Sequence, residues 1–226
     1  MRFITPRQRT RALAAIAALV GISACNSTRN AEIATPAQPA AAEPVEPMTA
    51  AKTFTSVIEG SVAPDFALAP LAGGGPITPK SLNGRPSVLL FGSCTSPAFV
   101  ESFEQMNLLH RDFEDRVNFV VVYIREAHPL DGDAIPDNRF KVSTPRTIDD
   151  RMDAALQLKR AARIRMPIAI DGLDDAMIEP YRAWPSRIVI LDPRGVAVYA
   201  PAASPDATRH GARRLRSVLN RVLRNG

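Results

Sequence analysis

Cysteine is nearly missing from this chain: two residues of 226, Cys25 and Cys94. Two cysteines exclude a disulfide framework. Cysteine–histidine clusters are missing as well, and Asp131-Gly132-Asp133 lacks the pattern of a calcium loop, so no metal site is expected. Long hydrophobic runs are scarce: Ala12–Ile22 is too short to span a bilayer as a permanent helix. An excess of one charge is also lacking over most of the length. The formal net charge is +5, but Arg2, Arg7, Arg9 and Arg11 precede the first acidic residue. The remainder carries 24 Lys and Arg against 23 Asp and Glu, so a basic surface for nucleic acid is not expected.

What is present at the N-terminus reads as an export signal: a basic segment, then the apolar run, then Ile22-Ser23-Ala24-Cys25. That ending resembles the lipobox of bacterial lipoproteins. The resemblance implies a signal over 1–24, lipidation of Cys25, membrane attachment through the lipid, and a domain held in the periplasm at the cell envelope. An ordinary secretory signal cleaved after Ala24 is the alternative. With Cys25 lipidated, Cys94 is the one remaining thiol. Residues 25–59 combine the lipidated cysteine with an Ala-, Pro-, Thr- and Glu-rich stretch without apolar periodicity, which reads as a disordered tether.

The folded part is expected over 60–226. Ala63-Pro-Asp-Phe66-x-Leu68 reads as a first strand, and Gly73–Gly75 and Asn83-Gly84 as turns. Ser87–Gly92 is a buried strand, Pro97–Phe113 an amphipathic helix, and Val117–Ile124 a second wholly apolar strand. After a polar loop, Thr147-x-x-Asp150 is a capping box opening a helix to about Arg163. Met166–Ile170 is a strand, Asp174–Tyr181 a short helix, and Arg187–Leu191 and Val196–Ala200 a hairpin across Asp192-Pro-Arg-Gly195. Leu215, Val218, Leu219, Val222 and Leu223 form one stripe of a closing helix with an arginine-rich, solvated opposite face. Parallel crossovers followed by an antiparallel hairpin give an α/β, thioredoxin-like order: a mixed central sheet flanked by helices. Pro185, just before the penultimate strand, is expected to be cis.

Two stretches carry a more specific signal: Phe91-Gly-Ser-Cys94-Thr-Ser96-Pro-Ala-Phe99 and Tyr123-Ile-Arg-Glu126-Ala-His128-Pro-Leu-Asp-Gly132. Together they resemble the iodothyronine deiodinases, with no gap between the motifs. The resemblance extends through Ala134-Ile-Pro136, Asp149-Asp-Arg151 and the Arg187 strand. It implies that Ser96 stands at the selenocysteine position and that Cys94 matches a cysteine found in part of the family. Glu126 and His128 match an acid and imidazole beside the selenium. Thr95, Tyr123 and Arg187 fall at substrate-binding positions. Pro145 replaces a substrate-clamping histidine. The implied ligand is a small molecule, a halogenated aromatic in the family's case, with an external thiol reductant or reductant protein and no bound cofactor.

The residues themselves leave two main readings open; a third, a peroxidase-like thiol protein, shares the fold, but the loop lacks that family's Thr-x-x-Cys order. A serine hydroxyl stays protonated near neutral pH and is a poor partner for iodine, and Ser96 before Pro97 also suits a helix N-cap. In an extended loop, Cys94 and Ser96 face the same way, and the helix terminus lowers a nearby thiol pKa. Cys94 then serves as redox atom, with His128 and Glu126 as a proton relay. The other reading is a binding lipoprotein that keeps the pocket without the chemistry, Cys94 being a small buried residue. His110 and His210 sit on expected helices and read as ordinary.

Overall fold

Two runs of apolar residues without polar alternation must be buried on both faces, and they form the centre of the sheet. The computed structural model describes residues 56–208 and 211–225; the expected signal, Cys25, most of the tether and His210 lie outside them. Chain order is β1 (Ala69–Pro70), α1 (Pro79–Leu82), β2 (Ser87–Gly92), α2 (Pro97–Phe113), β3 (Asn118–Tyr123) and α3 (Ile148–Ala161). There follow β4 (Ile168–Ile170), α4 (Ile178–Tyr181), β5 (Arg187–Leu191), β6 (Ala197–Tyr199) and α5 (Gly211–Asn225). The sheet order is β1-β4-β3-β2-β5-β6. β2 runs parallel to β3 and β3 to β4, while β5 is antiparallel to both β2 and β6.

Period two sorts the strand residues onto two cores. Val88, Leu90, Val121, Ile188 and Ile190 pack with α2, α3 and α5. Leu89, Phe91, Val122, Val189 and Leu191 pack on the opposite face with Tyr181 and Met177. On α2, Phe99, Phe103, Met106, Leu109 and Phe113 form the buried stripe. The arginine face of α5 is partly engaged: Arg214 lies over Tyr199, and Arg216 lies over Phe113 and pairs with Asp112 at 2.5 Å.

The first strand differs from the expectation. Val62 and Leu68 make isolated bridges to Val196 and Ile77, and the ladder is confined to Ala69–Pro70. Prolines lack the N–H a ladder needs, so Pro64 breaks the run and Pro70 is tolerated only because β1 is an edge. Packing begins at Val57, which is fully buried and bonded to the carbonyl of Pro180. Thr78, Pro79 and Ser81 build a capping box on one helical turn, α1, which sequence reading missed. α4 spans one turn rather than eight residues. The Thr147–Asp150 capping box forms as expected, and the Trp184–Pro185 peptide is cis. Because Arg187 pairs with Phe91, that peptide lies at the sheet end where the 93–96 loop leaves β2.

Candidate functional site

The loop after β2 is a turn. Ser96 N–H donates to Ser93 C=O at 3.3 Å, with Cys94 and Thr95 at the corner. This overturns the extended-loop expectation, because a closed turn no longer projects residues 94 and 96 to one side. Cys94 and Thr95 both reach the segment after β3 instead. Thr95 Oγ1 donates to Glu126 Oε2 at 2.6 Å, Thr95 N–H donates to it at 3.2 Å, and Cys94 Sγ lies 3.6 Å from it. Tyr123 Oη donates to Glu126 Oε1 at 2.5 Å and accepts the Cys94 N–H at 3.2 Å. A buried carboxylate is tolerated only when its oxygens are satisfied, and this one has four donors. The knot is closed further by Ser93, whose Oγ accepts Ala127 N–H, and by His128 N–H donating to Thr95 Oγ1.

Glu126 and His128 do not form the imidazole–carboxylate pair that strand alternation suggests. β3 ends at Tyr123, so residues 124–128 are loop and lose period two. His128 Nδ1 lies 3.0 Å from the carbonyl of Asp133. A carbonyl only accepts, so Nδ1 is the donor there, and Nε2 has no hydrogen-bond partner among the described residues. Thr95 Oγ1 links the Glu126 carboxylate to the main chain of His128, not to its ring.

Cys94 is fully buried. Burial, and then the Glu126 charge, push its thiol pKa up, opposite to the lowering expected of a helix terminus. Tyr123 is raised well above its ordinary value by the same two causes. Ser96 occupies the N-cap of α2, but its hydroxyl makes no capping bond. Its backbone sits at φ −91°, ψ 105°, whereas Thr147, which does cap, sits at φ −128°, ψ 162°. Expected as a cap, Ser96 is one by position alone.

Arg187 is not brought to this cluster. Pairing with Phe91 turns it onto the opposite sheet face, where its guanidinium donates to the carbonyls of Pro201, Tyr181, Val57 and Ala200.

A cavity of about 650 Å³ begins at Pro97 and runs between α2 and the 135–140 loop, with Val100, Phe103, Ile135 and Phe140 in its walls. Asn138 ties it to the turn, donating from Nδ2 to the Thr95 carbonyl at 2.7 Å. Ser93 and Asn138 escaped sequence reading as site residues. Ser93 stood within the quoted motif, and nothing local marked Asn138.

With this geometry in view, comparison with known proteins decides the family. The iodothyronine deiodinase family model matches residues 48–223. The chain belongs to the iodothyronine deiodinase family. A thyroxine 5-deiodinase from Gallus gallus is 35% identical over 122 residues, 54% of this chain and 46% of that protein. One from Ovis aries is 32% identical over 122 residues, 54% of this chain and 41% of that protein. The match therefore spans less than half of each relative's length. The fold is thioredoxin-like. The thioredoxin domain of a thiol-disulfide oxidoreductase from Bacteroides vulgatus superposes with TM-score 0.52 at 16% identity, covering 73% of this chain and 100% of that one. A thiol:disulfide interchange protein from Bacteroides sp. superposes with TM-score 0.52 at 14% identity, covering 73% and 91%. This deiodinase-family chain carries a hydroxyl at position 96, the residue after the Cys94–Thr95 corner that bonds with Tyr123 and Glu126.

Proposed function

We propose that this chain is an envelope-anchored deiodinase-family protein that binds a small, largely apolar molecule beside the 93–96 turn and does not turn it over by thiol chemistry. The observation that carries this reading is the state of Cys94: fully buried, held against Glu126, with its thiol pKa raised. A sulfur nucleophile must ionise and reach its substrate. Ser96 does not replace it, because its hydroxyl bonds to neither Glu126 nor His128 and oxygen is a poor partner for iodine. The cavity at Pro97 has the size of small-molecule sites; a halogenated aromatic suits its phenylalanine and aliphatic walls, and Glu101, Glu104, Asp137 and Arg139 also line it. Lipidated Cys25 attaches the protein to the membrane, with the domain in the periplasm; nucleic acid and bound cofactors play no part.

A second reading, a thiol-dependent reductive dehalogenase, draws on the retained carboxylate knot and the free Nε2 of His128. Its reaction converts an aryl iodide and two thiols into the arene, a disulfide and hydrogen iodide, with an external thiol as reductant. Alkylation of the folded protein, mapped by mass spectrometry across pH, separates the two. The binding reading expects no modification of Cys94 until the protein is denatured. Reaction in the folded state at a pH below that of free cysteine would overturn it. Iodide release from an iodinated phenol with dithiothreitol is expected for Ser96→Cys and not for the unmodified chain. Release by the unmodified chain that is lost in Cys94→Ser would establish the dehalogenase.

A further inference from the structure

We propose that a second cavity, walled by Arg125, Arg182 and Trp184, binds a small organic carboxylate with an apolar body. The cavity measures about 640 Å³ and shares no lining residue with the one at Pro97. Three arginines line it, Arg125, Arg182 and Arg187, against one acid, Glu179.

Arg187 supplies a fixed charge. It is 2% exposed, and four of its five N–H groups are held by main-chain carbonyls. Carbonyls satisfy its donors but bring no negative charge, and among the described residues no carboxylate pairs with it. Burial, and then neighbouring Arg182, lower its pKa, the mark of a cation short of counter-charge. Replacing that missing counter-charge is what an anionic ligand offers.

The other two arginines can reach such a ligand. Arg182 is exposed, follows α4 in a left-handed conformation at φ 43°, and takes no hydrogen-bond or ion-pair partner among the described residues. Arg125 lies over Trp184 at 5.2 Å and 3.5 Å from Asp175. Asp175 is shared, because its other oxygen accepts from Arg151 at 3.0 Å, so Arg125 is only partly neutralised. Val57, Ile178, Ala200, Ala202 and Ala203 complete the walls. Guanidinium groups, small apolar residues and an aromatic around one cavity fit a carboxylate on a hydrocarbon or aromatic body better than a bare anion. The site stands apart from the function proposed above, and failure of either leaves the other intact.

Trp184 is the chain's only tryptophan and is 40% exposed, so its fluorescence reports on this cavity. Full-length protein is titrated with benzoate, with inorganic phosphate and benzyl alcohol as charge-only and body-only comparisons. Calorimetry runs in parallel, because changing Arg125 alters Trp184 directly. Benzoate is expected to saturate, phosphate and benzyl alcohol to bind about tenfold or more weakly, and Arg182→Gln and Arg125→Gln each to weaken benzoate about tenfold, with Arg182→Lys recovering part of it. Both positions are exposed, so the fold tolerates these changes. Absence of saturable emission change and heat with benzoate would overturn the proposal. So would phosphate binding as tightly as benzoate, or unchanged affinity in Arg182→Gln.

Discussion

Asp171, at the end of β4, shows what a single buried acid does when its partners are dipoles. It is fully buried, and its carboxylate accepts from the N–H groups of Gly172 and Met177. Arg151 approaches but donates to the Asp171 and Gly172 carbonyls and to the Asp175 carboxylate, not to the Asp171 carboxylate. Desolvation dominates and raises the carboxyl pKa from 3.8 to about 6. The native state therefore binds this proton more tightly than the unfolded chain, and stability falls as pH rises from about 4 to about 6. Above that window the cost is up to about 3 kcal/mol. Asp171→Asn keeps the accepting oxygen and removes the charge. It is expected to raise Tm at pH 7 to 8 and to flatten Tm between pH 4 and 6, checked by melts across that range. Glu126 differs from Asp171 in having hydroxyl and thiol donors aimed at both oxygens. Residue identity in the two motifs announced that Glu126 and Cys94 belong to one site. That the thiol faces the carboxylate rather than a cavity depended on the turn at 93–96, which a list of residue types does not encode.

The joint between β2 and α2 is the element that positions everything else. A Cβ placed on Gly92 would sit 2.5 Å from the Phe99 ring, so the strand approaches its own helix more closely than any side chain permits. Gly92→Ala must displace Phe99 from its contact with Phe103, whose ring centre lies 5.0 Å away. A loss of about 1–3 kcal/mol in urea unfolding is expected, typical of an overpacked core. At the other helix with a marked start, Thr147→Ala removes a hydroxyl that caps Asp150 N–H, and should cost about 1 kcal/mol. Long elements with a clear period were legible residue by residue: Ser87–Gly92 and Pro97–Phe113 stand where the sequence places them. Short ones were not. α1 and α4 span four residues each, too few for a 3.6-residue period to register, and the first strand was misplaced by prolines that fit only an edge.

At the scale of the whole molecule, the described residues belong to one compact unit, Ala50–Gly226, and none of their helices is long and apolar enough to cross a membrane. The membrane attachment proposed above is through a lipid on Cys25, and it is tested there. Fractionation of cells expressing Cys25→Ala is expected to move the protein from the membrane to the soluble fraction, and persistence at the membrane would reject lipidation. Two cavities with no lining residue in common, one at Pro97 and one at Trp184, are the basis of the two separate binding proposals made above. By itself the sequence determined the family and the order of the longer strands and helices, because period and adjacent motifs are written along the chain. Only the tertiary structure decided which face each side chain meets. Pairing with Phe91 sends Arg187 away from Glu126 to four carbonyls, and the 93–96 turn sends Cys94 inward to Glu126. Register and turn geometry are relations between distant segments, settled when the sheet assembles and water leaves the site.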